Sequence, residues 1–190
     1  MTDVDKIMQN ALDAFQEYKS VSPAKKADFL NEIAAAIEAK REQLVPVAHE
    51  ESNLPPARLN GELSRTINQL KMFARLVLEG SWVEAAIDTA DKDRTPPKPD
   101  TRKMLLPVGP VVVFGASNFP FAFSTAGGDT ASALASGSTV VIKGHSAHAR
   151  TSELVYEAIY AAIKKAGMPE YTVQHVLGSG NTVGKALVQH

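Results

Sequence analysis

Apolar residues recur at spacings of three and four along roughly the first eighty positions, a period that predicts amphipathic helices. Val4, Ile7, Ala11, Phe15 and Tyr18 share one face of a first helix. A second is predicted to open at Ser22-Pro23, with serine as N-cap and proline in the first turn, where its missing N–H is harmless. Its apolar face is Leu30, Ile33, Ala34, Ile37 and Leu44. A third carries Leu63, Ile67, Leu70, Ala74 and Val77 and stops at Gly80, the residue type that most easily adopts the left-handed C′ conformation.

The pattern then fades. Trp82-Val83 and Arg102 to Leu105 are predicted as short strands bracketing a connection that contains Pro96, Pro97 and Pro99. Beyond it the rhythm changes to short apolar runs separated by helical stretches. Val111 to Phe114 is such a run, followed by a loop and a small-residue helix from about Thr125 to Ser136, ending at Gly137. Thr139 to Ile142 precedes a helix from about Arg150 to Ala166, and Tyr171 to Leu177 precedes Gly178-Ser179-Gly180 and a last helix running to His190. Strands and helices in this order predict an α/β protein: N-terminal amphipathic helices, then βαβαβα, half of a doubly wound, Rossmann-like parallel sheet. Three parts are expected, namely a helical segment at 1–80, an extended proline-rich connection with arm strands at 81–106, and the first half of a dinucleotide-binding domain at 107–190.

Composition sharpens this reading. Glycine is concentrated late, since only Gly61 and Gly80 of the 12 precede Gly109, which supports a boundary near residue 107. A net charge of -1 advertises no nucleic-acid partner. Met104 to Gly128 carries no charge, yet Pro107, Pro110, Pro120 and Ser117-Asn118 interrupt it, so a buried strand and loop are expected there and not a membrane span. With acidic residues early and no basic stretch leading into an apolar block, no targeting segment is read and a cytoplasmic protein is expected. The cysteine count is zero, which removes disulfides, thiolate metal sites and any thiolate nucleophile carried by these residues.

Candidate chemistry sits after the predicted strands, where doubly wound folds bind ligands. Gly115, Ala116, Ser117 and Asn118 follow the first strand, and Asn118 on its own reads equally well as a turn residue. Ser117 lacks the G-x-S-x-G setting of a hydrolase nucleophile. Lys143 ends the second strand; Ser146 is either an N-cap or a group for anion recognition. His145 and His148 form an H-x-x-H pair, but no carboxylate or cysteine nearby completes a metal set, so a structural or loop role is expected and no metal. Gly178, Gly180 and Gly184 give G-x-G-x-x-x-G, one residue longer than the dinucleotide fingerprint and after the wrong strand. It reads as a tight turn or as a turn whose backbone approaches a cofactor.

Taken together, Pro107-Val108-Gly109-Pro110 through Asn118-Phe119-Pro120, Ala133-Leu134-Ala135-Ser136-Gly137 through Lys143, Ala166-Gly167-Met168-Pro169 and Val176-Leu177-Gly178 resemble the N-terminal portion of the aldehyde dehydrogenase superfamily. The segment Lys143 to His148 is most similar to the branch of NADP-preferring enzymes that oxidise 2-oxoglutarate semialdehyde (2,5-dioxopentanoate) or long-chain aldehydes. In that family a cysteine thiolate attacks the aldehyde, hydride passes to the nicotinamide, and a glutamate-activated water releases the acid. The resemblance implies Asn118 as a donor to the oxyanion, worth about 3 kcal/mol, and Lys143 as the contact to the adenosine ribose or its 2′-phosphate. Gly115, Ala116 and Ser117 match the loop beside the cofactor, and Gly178 and Gly184 the turn and helix near the adenine. Ser146 falls where NAD-preferring members carry glutamate; a serine removes the repulsion toward a 2′-phosphate, so NADP is expected, with NAD as the alternative. The family's cysteine and glutamate have no counterpart in these residues. The expectation is therefore the front end of a homo-oligomeric (dimeric or tetrameric) aldehyde dehydrogenase acting on a small aldehyde, inactive alone, with an arm around Trp82 to Leu105. The competing readings are a non-catalytic cofactor-binding or interaction module and a related reductase of acyl phosphates or thioesters.

Overall fold

The computed structural model describes residues 3–190. Four helices come first: α1 (Val4–Tyr18), α2 (Pro23–Ala39), α3 (Arg41–Ser52) and α4 (Pro56–Glu79). The sequence reading has three. The extra one arises because the second helix breaks at Lys40, so Leu44 belongs to α3 and not to α2. Pro46 lies inside α3, past its first turn, so the helix forgoes the bond that an N–H there would make to Glu42 O. Arg41 braces the break, donating from Nε and Nη2 to Glu38 at 2.7 and 2.8 Å and from Nη2 to Ser64 of α4 at 3.1 Å. Ser22 caps α2 by accepting from the N–H of Lys25, and Gly80 ends α4 at φ 83°, both as the sequence predicts.

Trp82-Val83 is not a strand. Ser81–Val83 forms a 3₁₀ turn, and the strands are β1 (Ala86–Asp88) and β2 (Thr101–Lys103), paired antiparallel with Ile87 opposite Arg102. The second predicted strand is therefore displaced: only Arg102 and Lys103 of Arg102 to Leu105 lie in β2. Every residue of both strands is exposed. The register follows from backbone pairing, because no side-chain burial is there to select it.

β3 (Val111–Phe114), α5 (Gly128–Ser136), β4 (Val140–Lys143), α6 (Ala149–Ala166), β5 (Val173–Val176) and α7 (Lys185–Gln189) complete the chain. The sheet is parallel, ordered β3-β4-β5, with crossovers through α5 and α6 as expected for this class. α5 starts later than predicted, because Ser124 to Gly127 form a turn in which Gly127 N–H donates to Ser124 O. The last helix opens with a π turn at Gly180–Gly184.

β4 is buried on both sides, and its alternation splits the core. Val140 and Ile142 join one cluster with Phe29, Leu30, Ile33 and Ile37 of α2, Leu63 and Leu70 of α4, and Leu154 and Ile159 of α6. Val141 joins a smaller one with Val4, Ala11, Val176, Val183 and Leu187. Helix α1, first in sequence, thus covers the far face of the sheet. Three hydrogen bonds hold it there: Tyr18 Oη donates to Leu134 O at 2.9 Å, Thr139 Oγ1 to Ala11 O at 2.9 Å, and Gln174 Nε2 to Ile7 O at 2.8 Å. β3 forms one edge of the three-stranded sheet and leaves Phe114 47% exposed.

Candidate functional site

The register aligns Phe114 with Lys143 and Lys143 with Val176, so the three parallel strands end level. The loops that follow leave from one edge and are bonded to one another. Gly115 N–H donates to Lys143 O at 3.0 Å, and Gly144 N–H donates to Val176 O at 2.9 Å. A ring nitrogen of His148, Nε2, bonds Ala116 O at 2.8 Å. Gly115, Ala116 and Lys143 therefore form one surface, and Gly184 lies nearby, with Phe114 3.8 Å from where its Cβ would be.

Two of these glycines are required by space or conformation. A Cβ on Gly115 would sit 2.8 Å from Ser124 Oγ and 3.4 Å from the backbone N of His145. Gly178 has φ 147°, and a Cβ there would lie 2.5 Å from Val183 Cγ2. The turn after β5 thus needs glycine for its own packing, whatever approaches it. Gly184 meets nothing closer than ordinary contact; it lies buried in the π turn, its N–H donating to Ser179 O.

Lys143 is only 8% exposed, yet it joins no ion pair and no side-chain hydrogen bond among the described residues. A largely buried ammonium without a carboxylate suits an anionic group, and its place at the sheet end suits a nucleotide's phosphate or ribose. Ser146 is exposed nearby. It does not cap the following helix: α6 starts after His148 with no side-chain cap from its own N-cap residue, and Ser146 instead opens a 3₁₀ turn that His145 caps, its Nδ1 accepting from Ala147 N–H at 3.1 Å. The Ser146 hydroxyl has no protein partner among the described residues and is open to solvent. Burial, together with the nearby His148 and Lys143, holds the His145 pKa below its ordinary value. His145 and His148 stack with ring centroids 5.8 Å apart, and among the described residues no group of three potential metal ligands occurs.

Beneath Gly144, Thr125 Oγ1 pairs with Ser152 Oγ at 2.7 Å and Ser152 Oγ with His175 Nε2 at 2.7 Å. His175 stacks on Tyr156, and burial pulls its pKa from 6.5 down to about 4. A neutral imidazole there supports the floor of the loop.

Ser117 and Asn118 lie further out, both exposed. The Asn118 side-chain amide has no partner among the described residues and is free to donate. Its backbone is fixed, because Arg58 Nη2 donates to Asn118 O at 2.8 Å. Just beyond, Glu62 reaches from α4 to hold the loop, its Oε1 accepting from Phe121 and Ala122 N–H. Sequence reading missed Arg58 and Glu62. Glu62 left a signal, since it falls on the same face of α4 as Leu59, Leu63 and Thr66, where a carboxyl needs a reason to be buried.

The chain as a whole matches known proteins. A family model described as the aldehyde dehydrogenase family matches residues 1–190. The chain is 51% identical over 189 residues to alpha-ketoglutaric semialdehyde dehydrogenase 2 of Azospirillum brasilense, covering 99% of this chain and 36% of that one. It is 48% identical over 191 residues to alpha-ketoglutaric semialdehyde dehydrogenase of Acinetobacter baylyi, covering 100% and 36%. Among solved structures, NADP-dependent glyceraldehyde-3-phosphate dehydrogenase from Bacillus halodurans, complexed with NADP, superposes with TM-score 0.84 at 26% identity, covering 98% of this chain and 38% of that one. The chain thus spans about a third of the length of the curated relatives it matches. With its whole described fold and all 190 residues inside the match, this chain belongs to the aldehyde dehydrogenase family.

Proposed function

We propose that this chain is the cofactor-binding front end of an NADP-dependent dehydrogenase that oxidises 2-oxoglutarate semialdehyde to 2-oxoglutarate. In this reading residues 1–80 are its helical segment, 81–106 its oligomerisation arm and 107–190 the first half of its nucleotide domain. The observation that carries it is that the same end of the sheet bears the largely buried Lys143, without an ion pair, and leads into the loop that carries the unpartnered Asn118 amide. Identities of 51% and 48% to two alpha-ketoglutaric semialdehyde dehydrogenases support the substrate.

In this reading the aldehyde and water give the acid, a hydride leaves the former aldehyde carbon, and protons pass to solvent. A nicotinamide bound at the edge supplies the hydride acceptor. Asn118 donates its amide N–H to the oxygen of the reacting carbonyl, where negative charge develops. Lys143 and the Ser146 hydroxyl receive the ribose and its 2′-phosphate; a carboxylate at Ser146 would repel that phosphate, which favours NADP over NAD. Gly115, Ala116 and Ser117 run beside the cofactor, and Gly178 and Gly184 border its adenine. The nucleophilic thiolate and the general-base glutamate come from sequence beyond these residues, so residues 1–190 alone do not turn over.

Exposed Ile87, Met104, Leu105 and Leu106 around β1 and β2 support an arm that packs on another subunit, giving a homo-oligomer. Among the described residues no helix is long and apolar enough to cross a membrane, and a cytoplasmic enzyme is proposed. The test extends the reading frame and assays the resulting protein with 2-oxoglutarate semialdehyde and either cofactor. Turnover with NADP preferred supports the reading. A frame without a downstream cysteine and glutamate, or a protein that oxidises no aldehyde, overturns it.

A further inference from the structure

Helix α4 turns two guanidinium groups toward the Asn118 loop. The Cζ of Arg58 lies 5.0 Å from the Phe119 ring centroid, while its Nη2 holds the Asn118 carbonyl. Arg65 stands two turns further on, about 10 Å along the helix axis, with its Cζ 5.0 Å from the centroid of Phe123. The two rings meet edge to face, 5.1 Å apart. Arg58, Phe119, Phe123 and Arg65 thus form a continuous line along one flank of the loop that carries Asn118.

The two arginines differ in what they have left to give. Arg58 is occupied with the main chain of Asn118. Arg65 is exposed and joins no ion pair and no hydrogen bond among the described residues. The carboxyl one turn before it, Glu62, is turned inward to Phe121 and Ala122 and is 7% exposed. The contact with Phe123 restrains the Arg65 side chain without occupying its N–H groups in a hydrogen bond, so the guanidinium fork stays available. A restrained, unpaired fork of this kind is matched by a carboxylate, which accepts two parallel N–H bonds.

We propose that Arg65 is a specificity-determining residue that receives the distal 2-oxo carboxylate of the substrate while Asn118 holds the reacting carbonyl. The inference rests on the substrate reading above and adds the residue that enforces it. Arg58 contributes a second positive charge and fixes the main chain from which the Asn118 amide projects. A neutral aldehyde of the same length leaves the Arg65 fork unpaired and gains nothing from it.

The test uses the full-length enzyme and compares kcat/KM for 2-oxoglutarate semialdehyde with that for pentanal. In Arg65→Gln the ratio of the two falls by about 10–100-fold, carried by KM. Arg65→Lys restores part of it, because a point charge keeps the attraction without the fork. Calorimetry with 2-oxoglutarate, in the absence of cofactor, shows the same order of affinities. If wild type prefers the acid semialdehyde and Arg65→Gln keeps that preference, the Arg65 assignment is overturned and the substrate reading stands. If wild type shows no preference for the acid semialdehyde, the substrate reading fails and this inference with it.

Discussion

Glu62 Oε1 accepts from two consecutive backbone N–H groups, Phe121 at 2.8 Å and Ala122 at 2.9 Å. One side chain from the helical half thereby fixes the loop that follows Asn118, nearly sixty residues later. Glu62→Ala leaves both buried donors without a partner, and a stability loss of about 2–3 kcal/mol is expected. Glu62→Gln keeps an accepting oxygen and loses less. Denaturant titration measures both, and hydrogen exchange at Phe121 and Ala122 should rise in the alanine variant. Unchanged exchange at these amides would remove Glu62 from this role.

His175 gives the fold a dependence on acid. Burial pulls its pKa from 6.5 to about 4, so the unfolded chain takes up a proton over a range where the folded one does not. Its contribution is whole above about pH 6.5 and is lost as pH falls toward 4, on the order of 2–3 kcal/mol. Urea midpoints measured from neutral pH down to about pH 4.5 should fall in wild type. In His175→Gln that part of the slope should be missing; an equal slope in both proteins would assign the acid sensitivity elsewhere.

Under the proposed function, Ser146 is the residue through which cofactor choice is altered. Ser146→Glu places a carboxylate near Lys143, pairing its charge and repelling a 2′-phosphate. The ratio of NADP to NAD affinity should fall by about 10–100-fold, read as dissociation constants from cofactor fluorescence in the full-length enzyme. Equal weakening of both cofactors would place the 2′-phosphate away from Ser146.

Under the proposed function, Asn118→Ala removes one donor to the developing oxyanion. A loss of about 10²–10³ in kcat with little change in KM is expected, in steady-state assays of the full-length enzyme. A change confined to KM would instead mean that Asn118 only positions substrate.

The strand and helix order from Val111 onward was legible because buried parallel strands read as short β-branched runs, and because Gly80, Gly137 and Gly167 end helices in the left-handed conformation. The break at Lys40 was not legible, since Leu44 continues the apolar spacing of α2 and hides the interruption. β1 and β2 left no pattern at all, because neither buries a face. At the site, the loops after each strand were found from their position and glycines. Their supports were missed: Arg58 and His175 act across the fold on partners that a one-dimensional pattern does not record, whereas Glu62 left only the oddity of a carboxyl on an apolar helix face. His145 was singled out only as half of an H-x-x-H pair with an expected loop role; that it caps the 3₁₀ turn opened by Ser146 depends on a backbone conformation that residue preference alone does not specify.

The three bonds that seat α1 reach partners 116, 128 and 167 positions away in the chain. During synthesis helix α1 emerges long before these three partners exist. At about 5–20 residues per second, Val4 and Ala11 wait on the order of ten seconds for the sheet they cover, while Tyr18 meets Phe29 of α2 early. Helix α1 thus leaves the ribosome well before the sheet it covers and is among the last of the described elements to be secured.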